Sequence, residues 1–126
     1  MSSNNSPLIL LVEDNQAIYK LIEFKLKKDG FRFQHRVNGK EGLEAVKELQ
    51  PDLVILDVML PSMNGFEILR QIREDEDTRQ TKVIMLTSKN RMEDLEKGFD
   101  MQVEDYMDKP FKPQELIMRV NKVLGL

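Results

Sequence analysis

The sequence predicts an α/β protein, a (βα)₅ chain folded as a doubly wound sheet of five parallel strands. Three observations carry this. The runs LILLV (8–12), LVILD (53–57) and KVIMLT (82–87) are continuous apolar segments rather than alternating ones, as strands covered on both faces are. Between them lie segments with apolar residues at helical spacing. Turn and breaker residues such as Gly30 and Pro51 punctuate the alternation. Alternating strands and helices imply a parallel sheet, helices on both faces and right-handed crossovers.

Strand β1 (8–12) leads into helix α1 (16–29), where Ile18, Leu21, Ile22 and Leu26 share one face and Gly30 ends the pattern. FRFQHRV alternates and reads as an outer strand, β2 (31–37). Helix α2 (39–49) places Leu43, Val46 and Leu49 at helical spacing, and Pro51 bars its continuation. After β3 (53–57), Asn64 can cap a helix α3 (65–72) carrying Phe66, Leu69 and Ile72. After β4 (82–87), Met92, Leu95 and Phe99 mark a short helix α4 (92–99). DYMDK (105–109) is a weaker strand, β5. Pro113 suits the first turn of a last helix α5 (113–124), bearing Leu116, Ile117, Val120, Val123 and Leu124.

A chain of 126 residues suits one domain with a sizeable core. At 40% hydrophobic and 33% charged residues, with both signs interspersed, it is a globular rather than a disordered composition. A net charge of −3 and a pI of about 5.3 give no reason to expect direct nucleic-acid binding. The absence of cysteine excludes disulfides and thiolate chemistry and fits a reducing cytoplasm. The longest apolar runs fall far short of a membrane span. MSSNNSP lacks the basic residues of a secretion signal. Residues 1–6 are expected to form a flexible polar tail, and 7–126 a single domain.

Function is expected where parallel strands end, at their carboxyl edge. Glu13 and Asp14 follow β1, Asp57 ends β3, Thr87-Ser88 ends β4 and Lys109-Pro110 ends β5. Asp57 is the pointed question, because an isolated carboxylate at the end of an apolar strand is costly unless it has partners. The topology supplies two more carboxylates, a hydroxyl and an ammonium. Like charges this close need a counter-cation, and Mg²⁺ favours carboxylates, retained waters and a phosphate. The lysine suits a phosphoryl oxygen as a mobile point charge, and the threonine can donate to a second. The set is suited to phosphoryl transfer with Asp57 as nucleophile.

These residues resemble the response-regulator receiver domain of two-component signalling, with chemotaxis-regulator-like proportions. LLVEDN matches the family's acidic first loop. LDVMLPSMNG matches its phosphoacceptor strand and loop, with Pro61 four and Gly65 eight residues after Asp57. VIMLTS and DYMDKPF match its fourth and fifth strands. The four motifs in order cover the chain roughly from Leu8 to Leu124. The resemblance implies a flavodoxin-like sheet of strand order 2-1-3-4-5 and a cytoplasmic signalling switch rather than an enzyme. That switch would phosphorylate and dephosphorylate itself, with Asp57 as the 4-aspartylphosphate.

The same resemblance implies that Asp14, Asp57 and the backbone carbonyl of Met59 bind Mg²⁺, with Mn²⁺ as an alternative, and that Glu13 assists through water. Lys109 pairs with Asp57 and then with the phosphoryl group, aimed by a cis Lys109–Pro110 bond. Thr87 and Tyr106 form the switch. Met59 and Lys89 tune the rate, and Met59 should lengthen the phosphoryl lifetime because it offers no hydrogen bond to an attacking water. The donor is a sensor histidine kinase or phosphotransfer protein, docking near Ile18 and Pro110. A phosphorylation-dependent homodimer through α4, β5 and α5 would use Arg91, Asp94, Lys97, Asp100, Asp105, Arg119 and Lys122. Gln102-Val103 departs from the family's usual glycine-alanine.

Three other readings are weaker. Haloacid-dehalogenase-like phosphatases need a second aspartate two residues after the nucleophile, where this chain has Met59. A flavodoxin-like cofactor carrier needs a first loop that cradles an anion, and EDNQ would repel one. A pseudo-receiver that takes no phosphate conflicts with the full residue set. His35, the only histidine, has no ligand partners in the sequence and reads as a surface or packing residue.

Overall fold

A computed structural model describes residues 6–61, 63–88 and 103–126. Five strands, β1 (Leu8–Val12), β2 (Arg32–Arg36), β3 (Leu53–Asp57), β4 (Lys82–Ser88) and β5 (Asp105–Lys109), form one sheet in the order β2-β1-β3-β4-β5. Every neighbouring pair is parallel. The helices are α1 (Gln16–Lys28), α2 (Gly39–Leu49), α3 (Gly65–Glu74) and α5 (Pro113–Leu124). The predicted α4 lies outside the described residues, as do Lys89 and Gln102.

The continuous apolar runs are explained by two cores, one on each sheet face. Leu10, Val12, Val54, Leu56, Val83 and Met85 meet α2 and α3 through Leu43, Val46, Ile68, Leu69 and Ile72. The alternate residues Ile9, Leu11, Leu53, Ile55, Ile84 and Leu86 meet α1 and α5 through Ile22, Leu26, Leu116 and Val120. A strand buried on both faces has no polar side to show, so its pattern is unbroken. Among the described strands β2 pairs with β1 alone, and it shows the mixed exposure of an edge.

Helix ends are set locally. Asn15, Asn38 and Asn64 cap α1, α2 and α3, their side chains accepting from the backbone N–H of Ile18, Glu41 and Phe66 at 3.1, 2.9 and 2.7 Å. Gly30 ends the first helical segment at a φ of 92°, a conformation that favours glycine. Gly65 opens α3 where a Cβ would lie 2.4 Å from the Asp57 carbonyl oxygen. Only a glycine lets α3 start this close to the end of β3.

Candidate phosphoacceptor site

The pleat sorts the functional side chains. Successive residues of a strand point to opposite faces. Leu11, Ile55 and Met107 belong to the α1/α5 core. Two residues further along each strand come Glu13, Asp57 and Lys109, on the same side. Met85 and Tyr106 are register partners, and Tyr106 packs on the α2/α3 core. Thr87, two residues after Met85, falls on that second side.

The first set is in direct contact. Lys109 Nζ donates to Asp57 Oδ2 at 2.9 Å and stands 2.8 Å from Glu13 Oε1. The Lys109–Pro110 peptide is cis, as the resemblance implies. Asp57 Oδ1 accepts the Met59 N–H at 3.1 Å, and Glu13 Oε2 accepts the Asn15 N–H at 3.1 Å. Glu13 is fully buried and Asp57 is 3% exposed, while Asp14 is exposed. Carboxylate oxygens of Glu13, Asp14 and Asp57 all lie within 4.8 Å of one another.

Burial pushes the Glu13 carboxyl up to about 7, with the hydrogen-bonding proximity of Lys109 opposing the rise and Asp57 adding to it. Burial pulls the Lys109 ammonium down, but Glu13 and Asp57 outweigh it and the net direction is up. The neighbouring carboxylates contribute to both shifts, after burial in the case of Glu13: two negative charges share one ammonium. Unit charges 4 Å apart at a surface-like effective dielectric interact by about 4 kcal/mol, so the excess is substantial. Glu13 Oε1 is buried and lacks a well-directed hydrogen bond among the described residues, where it faces the Lys109 ammonium at 2.8 Å. An all-oxygen donor set with a buried, under-satisfied oxygen fits a hard divalent cation such as Mg²⁺.

Of the other predicted residues, Thr87 is buried at the end of β4, and Met59 is 52% exposed beside the site. Tyr106 is partly buried, and burial raises its hydroxyl pKa. Val103 packs on the α2/α3 core. Sequence reasoning placed Glu13 and Lys109 at the same strand edge but paired the lysine with Asp57, and so missed the direct Glu13–Lys109 pair. It also missed the polar contact of His35, whose Nε2 lies 2.8 Å from the Glu13 carbonyl oxygen. The signal for it was the position of His35 in a strand paired in register with β1 next to that loop.

Comparison with known proteins agrees with this geometry. The response regulator receiver domain family matches residues 9–121. This chain belongs to that family. It is 39% identical over 118 residues, 94% of its length, to the DNA-binding dual master transcriptional regulator RpaA of Synechocystis. It is 40% identical over 112 residues, 89% of its length, to the DNA-binding response regulator MtrA of Mycolicibacterium smegmatis. The receiver domain spans about half of each relative, 49% and 48%. A response regulator from Chloroflexus aurantiacus superposes with a TM-score of 0.90 at 30% identity, covering 97% of this chain and 100% of that one. The receiver domain of a Pseudomonas aeruginosa sensor histidine kinase gives 0.87 at 30%, covering 96% and 99%, and was solved with magnesium coordinated in its active-site cleft. No helix among the described residues is long and apolar enough to cross a membrane.

Proposed function

We propose that this receiver domain, residues 7–126, accepts a phosphoryl group on Asp57 from the phosphohistidine of a sensor kinase or phosphotransfer protein in the cytoplasm. The observation that carries this is the Asp57 carboxylate, 3% exposed, held at once by Lys109 and by the Met59 N–H beside two further carboxylates. Asp14, Asp57 and the Met59 carbonyl would hold Mg²⁺, with Mn²⁺ able to replace it and Glu13 contributing through water. Bound there, the cation supplies charge neutralisation for the phosphoryl oxygens.

An Asp57 carboxylate oxygen forms the new bond to phosphorus as the phosphorus–nitrogen bond of the donor breaks, and the electron pair leaves with the imidazole. Lys109 keeps its proton throughout and moves its charge from the Asp57 oxygen toward the phosphoryl group. An apolar groove of about 260 Å³, lined by Ile18, Leu21, Lys109, Pro110 and Phe111, opens beside the site and supports donor docking there.

The output lies on the other face of the pleat. Thr87 and Tyr106 are diagonal neighbours on β4 and β5. A phosphoryl group adds charge and acceptor oxygens, which favours the arrangement that binds them. Thr87 closing on it draws Tyr106 inward, reshaping the surface of β5 and α5. There Asp105 accepts both bonds from Arg119 Nη1, at 2.9 and 2.8 Å. We read that surface as the site of phosphorylation-dependent pairing between two copies.

The test is intact-mass analysis after acetyl phosphate with Mg²⁺. Wild type gains one phosphoryl mass, and Asp57→Asn gains none. A wild-type chain that folds and binds the cation yet gains no mass would make this a pseudo-receiver.

A further inference from the structure

His35 Nε2 lies 2.8 Å from the backbone carbonyl oxygen of Glu13. A carbonyl oxygen only accepts, so this nitrogen carries the proton and donates. The ring is itself held in place. It stacks on Tyr19 with centroids 3.9 Å apart and planes 33° apart, and Phe33 of the same strand lies at 6.5 Å. Strand pairing between β1 and β2 runs to Val12 and Arg36. Glu13 N–H still donates to the Arg36 carbonyl at 3.1 Å. The imidazole extends this tether one group further, to the Glu13 carbonyl.

The extra group matters because Asp14 is the next residue. The side chains of Glu13 and Asp57 are tied down by Asn15, Met59 and Lys109. Asp14 is exposed, and no hydrogen bond or ion pair among the described residues holds its carboxylate. Its direction is therefore set by its own backbone, which begins at the peptide whose carbonyl His35 binds. We infer that His35 is a positioning residue: by tying the Glu13 carbonyl to β2 it fixes the Glu13–Asp14 peptide and aims the Asp14 carboxylate at the divalent-cation site. This rests on the cation site proposed above.

The chain has a single histidine, so its imidazole signals in ¹⁵N-edited NMR are unambiguous. Expected are a protonated Nε2 and ring shifts that move with added Mg²⁺ and saturate along the calorimetric binding curve. An Nδ1-protonated neutral ring, or one indifferent to saturating Mg²⁺, overturns the inference. Variants give the second arm. His35→Phe keeps a ring to stack on Tyr19 and deletes the donor; His35→Gln returns a donor nitrogen. Mg²⁺ affinity should fall about tenfold in the first, the lower end for groups that orient metal ligands, and recover most of that in the second. Unchanged affinity in a folded His35→Phe overturns the role, and the wild-type titration decides the matter should that variant not fold. Asp14→Asn separates the two readings. If it binds Mg²⁺ as wild type does, the cation site itself is wrong and the role of His35 falls with it.

Discussion

The two faces of the sheet carry different halves of the proposed function. On the α1/α5 side, Lys109 touches both Glu13 and Asp57 within 2.9 Å, and each carboxylate also accepts from a backbone N–H. On the α2/α3 side, Thr87 and Tyr106 are neighbours through the pleat, and Tyr106 is only partly buried. One side is a charged knot whose members cannot move without stranding a buried charge. The other is a buried hydroxyl and a partly buried aromatic ring that carry no formal charge. On the proposed reading the pleat separates chemistry from response, while Thr87 directly follows Leu86, the register partner of Asp57.

Removing a charge from the knot should have the largest effect. Lys109→Met leaves Glu13 and Asp57 close together without their ammonium. Breaking a buried pair in this way costs about 3 kcal/mol, the low end of the usual range because Lys109 is 20% exposed. Urea unfolding without divalent cation should read that loss, with Mg²⁺ restoring part of it. Phosphoryl uptake followed by intact mass should slow by about two orders of magnitude. Unaltered uptake would mean that the ammonium is structural and the two faces differ less than proposed.

Gly65→Ala tests the seam between them. The new Cβ would lie 2.4 Å from the Asp57 carbonyl oxygen and 2.8 Å from the Val58 Cα, both backbone atoms. Either α3 or the loop after Asp57 must yield, at about 2 kcal/mol by overpacking. The expected result is a lower urea midpoint together with weaker Mg²⁺ binding, since Met59 sits on the displaced loop. A stability loss with unchanged Mg²⁺ affinity would place the strain wholly in α3.

The contrast between the faces also explains what is legible in the sequence. The central strands are readable because burial on both faces leaves an unbroken apolar run, and strand-end position brings Asp57 and Lys109 to one edge; their pairing comes from the family resemblance. Asn64 reads as a cap, yet Asn15 and Asn38 cap their helices in the same way. Asparagine before a helix is common enough that only a clear apolar pattern behind it draws notice. Full burial of Glu13 is not readable. It depends on β5 bringing Lys109 across the sheet, a long-range fact that no local pattern carries. His35 reads as a packing residue, which its stacking on Tyr19 bears out, but its second contact depends on the register between β2 and the end of β1.

Thr87→Val asks whether the response side is truly separate. The substitution keeps the β-branched shape of a residue that is 1% exposed and removes only the hydroxyl. Uptake of the phosphoryl group should survive, slowed by about tenfold, the effect of roughly 1.4 kcal/mol in the barrier. Pairing of the phosphorylated or beryllofluoride-treated chain, followed by sedimentation, should be lost. If uptake is abolished as in Asp57→Asn, Thr87 belongs with the reacting groups and the division by pleat fails.

Met59→Asn should be the mildest change and sharpens the comparison most finely. Met59 is 52% exposed, so replacing it disturbs little packing. Its backbone N–H holds Asp57 Oδ1, and that contact does not depend on the side chain. Uptake should therefore be unchanged. What differs is the water that later removes the phosphoryl group: a thioether shields the approach, whereas an amide can hold the water there. One such hydrogen bond, about 1 kcal/mol in the barrier, corresponds to roughly fivefold faster loss of the phosphoryl group. A lifetime that stays the same or lengthens would show that access of water is set elsewhere, and that an exposed residue on this loop does not govern how long the signal lasts.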